Sequence, residues 1–230
     1  MKNKVVLLIR VVIAMLVFSI SGMVLSELLA FALMKSNWTQ DGILLLYQVG
    51  SKLITILIAF PLYVLAMRLF GKIGRFHWSG NRSLTFLEHL KYLVFAFLPV
   101  IILYGVMIIL IRTGSVPVEA AGSISSIGNL IYVLSLGCVI MPLVEEIMFR
   151  GIMFHTLAKE GTAFAVIVSS LCFAIGHNNP VNMIIGLADG IIFALLADKT
   201  GGIKYGYFYH VAVNIVGSIV IPLVMQQGLI

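Results

Sequence analysis

The sequence predicts an all-α fold: a polytopic membrane bundle of about seven, and at most eight, transmembrane helices. Hydrophobic residues make up 61% of the 230 residues, charged residues make up 10%, and the mean hydropathy is +1.11. Soluble domains contain roughly 45–50% apolar and about 25% charged residues, so a soluble fold is excluded. Polar interruptions divide the chain into seven apolar stretches, each close to the roughly 20 residues that a membrane-spanning helix needs. They cover residues 9–33, 43–67, 92–112, 127–158, 162–178, 181–197 and 205–226.

The basic residues predict how these spans are oriented. Twelve Lys and Arg residues lie on one side of the predicted bundle, two lie on the other side, and Lys52 lies inside a span. Because cytoplasmic loops carry the excess of positive charge, we expect a multi-pass protein of the cell membrane with a cytoplasmic amino terminus. The basic residues lie between spans rather than on a soluble face, so the expected partner is the lipid bilayer and not nucleic acid. The larger group consists of Lys2, Lys4, Arg10, Arg68, Lys72, Arg75, Arg82, Lys91, Arg150, Lys159, Lys199 and Lys204.

Ionisable side chains within the spans are the candidates for function, because such groups are costly at membrane depth and usually face a cavity. The segment Pro142–Arg150 contains adjacent glutamates. Glu146 and Arg150 are four residues apart on one helix face and can form a charge-assisted pair. Glu145 lies about 100° around the helix and is left without that cation. We therefore expect Glu146 to stay ionised and Glu145 to accept and return a proton.

Two later segments offer further polar groups. His177 precedes Pro180, which favours a helix end there and an accessible imidazole ring. His210 and Asn214 are again four residues apart, on the last predicted helix, and can donate hydrogen bonds to an oxyanion. If the chain turns near residue 160, Glu145 and His177 lie at depths that differ by only about 3 Å. His210 follows Lys204 closely and is expected to be shallower, unless the last helix starts deeper or is tilted.

Each feature also has a purely structural interpretation. A Glu–Arg pair can simply hold a bundle together, and a histidine or asparagine can serve only in packing or in an interhelical hydrogen bond. The presence of all three features on separate spans within the last 90 residues favours one polar site. Glu27, Lys52 and Asp189 are interpreted as mainly structural, with Asp189 the first exception to consider.

In these segments the chain resembles the CAAX-protease and bacteriocin-processing (CPBP, or Abi) family of intramembrane proteases. The family pattern is Glu-Glu-x-x-x-Arg, then Phe-x-x-x-His, then His-x-x-x-Asn. It matches Glu145-Glu146-Ile-Met-Phe-Arg150, Phe173 to His177, and His210 to Asn214. The resemblance covers about residues 127–220. We therefore divide the bundle into residues 1–126, with the amino-terminal helices and a cytoplasmic loop, and residues 127–226, a CPBP-like catalytic core.

The resemblance implies a role for each matched residue. Glu145 would activate a water molecule with help from His177, whereas His210 and Asn214 would bind the oxyanion of the tetrahedral intermediate. Glu146 and Arg150 would support the first glutamate. The metal question stays open: Glu145, His177 and His210 could serve as zinc ligands, but the His-Glu-x-x-His pattern is absent. No cofactor is favoured, and zinc is the alternative.

These observations predict an intramembrane endopeptidase, either glutamate-dependent or metal-dependent. Its expected substrate is a hydrophobic, lipidated or leader-bearing peptide at the membrane. The alternative is a non-enzymatic membrane protein for bacteriocin self-immunity, in which the polar cluster only stabilises the bundle and binds a partner. A proton-linked transporter is disfavoured, because inverted repeats are not apparent in the sequence.

Overall fold

A computed structural model describes residues 2–69, 71–74, 77–113, 115, 124, 126–177 and 180–227. Over this part of the chain the protein is a bundle of seven helices, which confirms the all-α membrane fold. Six of them are long and apolar enough to cross a membrane. The helices are α1 (Lys2–Met34), α2 (Gln40–Leu69), α3 (Phe86–Arg112), α4 (Ile127–Glu160), α5 (Thr162–Ile175), α6 (Pro180–Thr200) and α7 (Lys204–Gln226).

The fifth helix is shorter than the predicted span 162–178. It has 14 residues, which at 1.5 Å per residue gives about 21 Å, less than the roughly 30 Å of a hydrocarbon core. It ends at Ile175, with Gly176 at the C-cap position. At its other end Gly161 has φ of 125°, a left-handed conformation that suits glycine and turns the chain from α4 into α5. The turn near residue 160 is therefore where the sequence predicts it.

Several helices contain wide turns of the π type. In α4 such turns occupy Val133–Ile140 and Ile147–Phe154, on both sides of the α-helical segment Met141–Glu146. A π turn changes the angle between successive side chains, and such turns are frequent at functional sites. In this helix they lie on either side of the two adjacent glutamates.

Two tyrosines join the halves of the bundle. The Tyr63 hydroxyl of α2 donates to the Met148 carbonyl of α4 at 3.1 Å, and the Tyr104 hydroxyl of α3 donates to the Gly217 carbonyl of α7 at 3.1 Å. One apolar cluster packs α1, α2, α4, α5 and part of α6. A second cluster packs α3, α6 and α7. The candidate site lies where these clusters meet.

The segment between α2 and α3 packs against the turn between α6 and α7. The Lys204 amide donates to the Trp78 carbonyl at 2.9 Å, and His77 forms a short parallel β-bridge with Gly202. A Cβ atom at Gly202 would lie 2.4 Å from the Gly80 nitrogen, so only glycine permits this approach. The turn before α7 is therefore covered by protein.

Two of the basic residues counted for orientation are buried inside the bundle. Arg10 of α1 is 4% exposed, and its guanidinium donates to the carbonyls of Met67 and Gly71 at the end of α2. Arg150 of α4 is 0% exposed. These two residues tie helices together rather than marking a membrane surface, and the orientation of the amino terminus stays a prediction.

Candidate active site

The site is built around a buried ion pair on α4. The Arg150 guanidinium donates to Glu146 Oε1 at 2.8 Å, and both side chains are fully buried. The predicted pairing of these residues is therefore present. Because a buried carboxylate without a cation would be costly, Arg150 supplies the charge that compensates Glu146 in this site.

The rest of the Arg150 side chain is held by α5 and α6. Arg150 donates to the Gly190 carbonyl at 3.2 Å, and its guanidinium lies 4.3 Å from the centre of the Phe173 ring. A desolvated cation over an aromatic face gains about 2 kcal/mol. Phe173 is also the first residue of the second predicted motif, so it links the ion pair to His177.

His210 on α7 lies between the two glutamates. Its Nδ1 is 3.1 Å from Glu146 Oε1, and its Nε2 is 3.5 Å from Glu145 Oε2. Carboxylate oxygens only accept, so both contacts are favourable when the ring carries both protons. Gly206, one turn earlier on α7, allows this approach, since a Cβ atom there would lie 2.9 Å from Glu146 Oε2.

The predicted depth mismatch of His210 is therefore not observed. The helix begins at Lys204, as the sequence suggests, but the turn before it is packed beneath residues 77–82. His210 therefore reaches the level of both glutamates although α7 begins at Lys204.

His177 follows the end of α5, as Pro180 predicts. Its Nδ1 is 3.0 Å from the Phe173 carbonyl, which can only accept, so Nδ1 carries the proton. The lone pair of the neutral ring is then on Nε2. A Cβ atom at Gly186 would lie 3.0 Å from the ring, so this glycine makes space for the imidazole.

Asn214 lies one turn after His210 on the same helix. Its amide nitrogen is 3.4 Å from the Gly137 carbonyl of α4, a long hydrogen bond. The amide therefore keeps donor capacity for a ligand.

One cavity of about 700 Å³ connects these residues. Glu145, His177, His210 and Asn214 all line it, whereas Glu146 and Arg150 are packed behind its wall. The arrangement agrees with the expectation that Glu145 is accessible and Glu146 is held by Arg150.

Comparison with known proteins relates part of the chain to a family. Residues 127–216 match the family model described as "Type II CAAX prenyl endopeptidase Rce1-like". This segment is therefore similar to the CAAX-protease family. A Bacillus subtilis (strain 168) protein named "Putative membrane peptidase YdiL" is 35% identical over 77 residues, which is 33% of this chain and 32% of that relative. The chain therefore aligns with about a third of the length of this curated relative, and no solved structure matches it significantly.

The Rce1-like segment also contributes Asp189 to the cavity. The sequence analysis interpreted this residue as mainly structural and as the first exception to consider. Asp189 of α6 lines the cavity, is 4% exposed, and has no hydrogen-bond partner for Oδ1 among the described residues. Lys52 of α2, outside that segment, lines the cavity as well. In the sequence, the only indication that Asp189 and Lys52 belong to a site was that each is an ionisable residue within a predicted span.

Among the described residues of the Rce1-like segment, no set of metal-ligating side chains points to one common position. No group of three His, Cys, Asp or Glu side chains is arranged to hold a metal ion in the part of the chain that the structure describes. His210 Nδ1 lies 3.1 Å from Glu146 Oε1, and its Nε2 lies 3.5 Å from Glu145 Oε2. The use of zinc stays a prediction.

Proposed function

We propose that this protein is an intramembrane peptidase in which Glu145 activates the attacking water. The observation that carries the proposal is the shared cavity. A carboxylate, two imidazoles and a carboxamide from three separate parts of the bundle line one space of about 700 Å³. Matching residues 127–216 to an endopeptidase family supports the same activity.

The residues can carry out hydrolysis without a further group. Glu145 takes a proton from water, and the hydroxide attacks the carbonyl carbon of the peptide bond. The carbonyl oxygen becomes an oxyanion. Once Glu145 has taken the water's proton, its attraction for the His210 Nε2 proton falls, and His210 Nε2 and Asn214 donate hydrogen bonds to the oxyanion. The C–N bond then breaks, and the amine leaves with the proton that Glu145 accepted. The products are a carboxylic acid and an amine, which become a carboxylate and an ammonium group when the proton of the acid passes to the amine.

His177 is proposed to orient the water. Because its Nδ1 proton is held by the Phe173 carbonyl, the Nε2 lone pair can accept a hydrogen bond from water in the cavity. Glu145 and His177 would then hold the water from two sides.

The proposed reaction is glutamate-dependent, with zinc as the alternative. Elemental analysis of purified, active protein separates the two. We expect less than stoichiometric zinc and activity that survives a chelator, whereas one tightly bound zinc per chain with loss of activity on chelation would establish the metalloenzyme.

The proposed substrate is a membrane-associated peptide, either lipidated or carrying a hydrophobic leader. The cavity is lined by residues of the spanning helices, and apolar side chains such as Phe18 and Val100 lie beside the polar groups. An extended hydrophobic segment can bind there without leaving the membrane environment.

The test is Glu145→Gln in protein reconstituted into liposomes, with a mixture of short hydrophobic peptides as substrate and mass spectrometry of the products. We expect cleavage to be abolished and the melting temperature to stay close to wild type, since Gln nearly preserves the shape of Glu. The matched control is Glu27→Gln, at an exposed position of α1 that does not line the cavity, which should cleave normally. Full cleavage by Glu145→Gln would refute the proposal and favour a binding or immunity protein.

A further inference from the structure

Lys52 is a cationic residue in the cavity that the proposed reaction does not use. It lies on α2, is half-buried, and lines the cavity together with Ser51 and Thr55 of the same helix. Among the described residues it has no ion-pair partner. A lysine near the centre of a membrane-spanning helix costs about 2.5–3.5 kcal/mol, and such residues mark binding sites or pathways.

The acidic wall of the cavity does not supply the missing partner. Glu145 faces His210 at 3.5 Å, and Glu146 is paired with Arg150 at 2.8 Å. Asp189 also lines the cavity, but its Oδ1 has no hydrogen-bond partner among the described residues, so it does not pair with Lys52 either. Lys52 is therefore a cation that lines the same cavity as the proposed reaction and forms no ion pair with its carboxylates among the described residues.

The contact between Tyr63 and Met148 relates the level of Lys52 along the bundle to that of Glu145. This hydrogen bond of 3.1 Å places the two residues at a similar level, and α2 and α4 run in the same direction because one spanning helix separates them. Lys52 is 11 residues before Tyr63, and Glu145 is three residues before Met148. The difference of eight residues corresponds to about 12 Å along the bundle.

We propose that Lys52 binds a carboxylate of the peptide substrate and thereby sets where the peptide is cut. The inference rests on the proposed peptidase function. An extended peptide covers about 3.3–3.6 Å per residue, so about 12 Å corresponds to three or four residues. The flexible lysine stem lets the ammonium group reach closer to Glu145. The bound carboxylate then lies about two to four residues from the scissile bond.

Two sources can supply this carboxylate: the carboxyl terminus of the substrate or an Asp or Glu side chain. Three peptide mixtures separate them. The first contains short hydrophobic peptides without Asp or Glu and with a free carboxyl terminus, and the second is the same mixture as carboxamides. The third is amidated and carries one Glu at varied positions.

Each mixture is tested for cleavage by the wild type, Lys52→Gln, Lys52→Arg and Lys35→Gln. Lys35→Gln is the matched control, since it removes an exposed lysine outside the cavity. We expect the wild type and Lys35→Gln to cleave one carboxylate-bearing mixture about 10- to 100-fold better in kcat/KM than the uncharged mixture, as a charge-assisted hydrogen bond allows. Lys52→Gln should lose this preference and Lys52→Arg should keep it.

Binding to the Glu145→Gln protein, with and without Lys52→Gln, distinguishes this inference from the proposed reaction. Suppose that carboxylate-bearing peptides bind more tightly in a way that depends on Lys52, but the wild type cleaves none of them. This result would refute the proposed peptidase activity and support the carboxylate site. If the wild type cleaves acid and amide peptides with equal kcat/KM, the proposed role of Lys52 is overturned. This comparison uses the wild type alone, so it does not depend on whether a variant folds. A preference that survives in Lys52→Gln would overturn it as well.

Discussion

Removal of the Arg150 side chain should destabilise the protein strongly. Arg150→Ala eliminates the 2.8 Å contact with Glu146 and the cation that lies 4.3 Å from the Phe173 ring, in a site with no exposed surface. The Glu146 carboxylate is then left buried with His210 as its remaining partner. Breaking a buried ion pair by removing one member costs about 3–5 kcal/mol. For chains of this size 1 kcal/mol shifts the melting temperature by about 2–4 °C, so we expect a fall of about 6–20 °C.

The assay is fluorescence-detected size exclusion of the detergent-solubilised protein after heating. Arg82→Ala is the matched control, because its partner Glu88 is at the surface and the Arg82 side chain is 52% exposed. That pair is worth less than about 1 kcal/mol. The double variant Glu146→Gln with Arg150→Met should recover part of the loss, because no uncompensated charge remains in the ion-pair position. If Arg150→Ala melts at the same temperature as Arg82→Ala, the ion pair does not stabilise the site as argued.

Three further substitutions test other parts of the bundle by the same melting measurement. Gly206→Ala should lower the melting temperature by an amount equivalent to about 1–3 kcal/mol, since the new Cβ would lie 2.9 Å from the Glu146 carboxylate; a wild-type value would contradict the close approach. Thr85→Ala should cost about 1 kcal/mol, because it removes the capping box with Glu88 at the start of α3. Asp189→Asn should raise the melting temperature at pH 8, because it removes a buried charge whose Oδ1 lacks a partner; a decrease would show that the carboxylate is stabilising.

Much of the candidate site could be predicted because its pairs are local. Glu146 and Arg150 lie four residues apart on one helix, so helical geometry alone brings them together, even with wide turns nearby. The end of α5 before His177 follows from the breaker at Pro180. The resemblance of the motifs to a family of intramembrane proteases pointed to the segment that matches the Rce1-like model.

The contacts between helices could not be predicted in the same way. The sequence placed His210 too shallow, because it could not show that residues 77–82 cover the turn before α7. It left Asp189 and Lys52 as mainly structural, since a single ionisable residue within a span does not show which way the side chain faces.

The sequence by itself determined the class of fold and the side-chain pairs within each helix. Hydropathy, helix-breaking residues and helical spacing act over a few neighbouring residues. Only the tertiary structure decided that His210 lies between the two glutamates and that Lys52 shares their cavity. Those contacts depend on the depth and rotation of whole helices, which are set by packing among residues far apart in the chain.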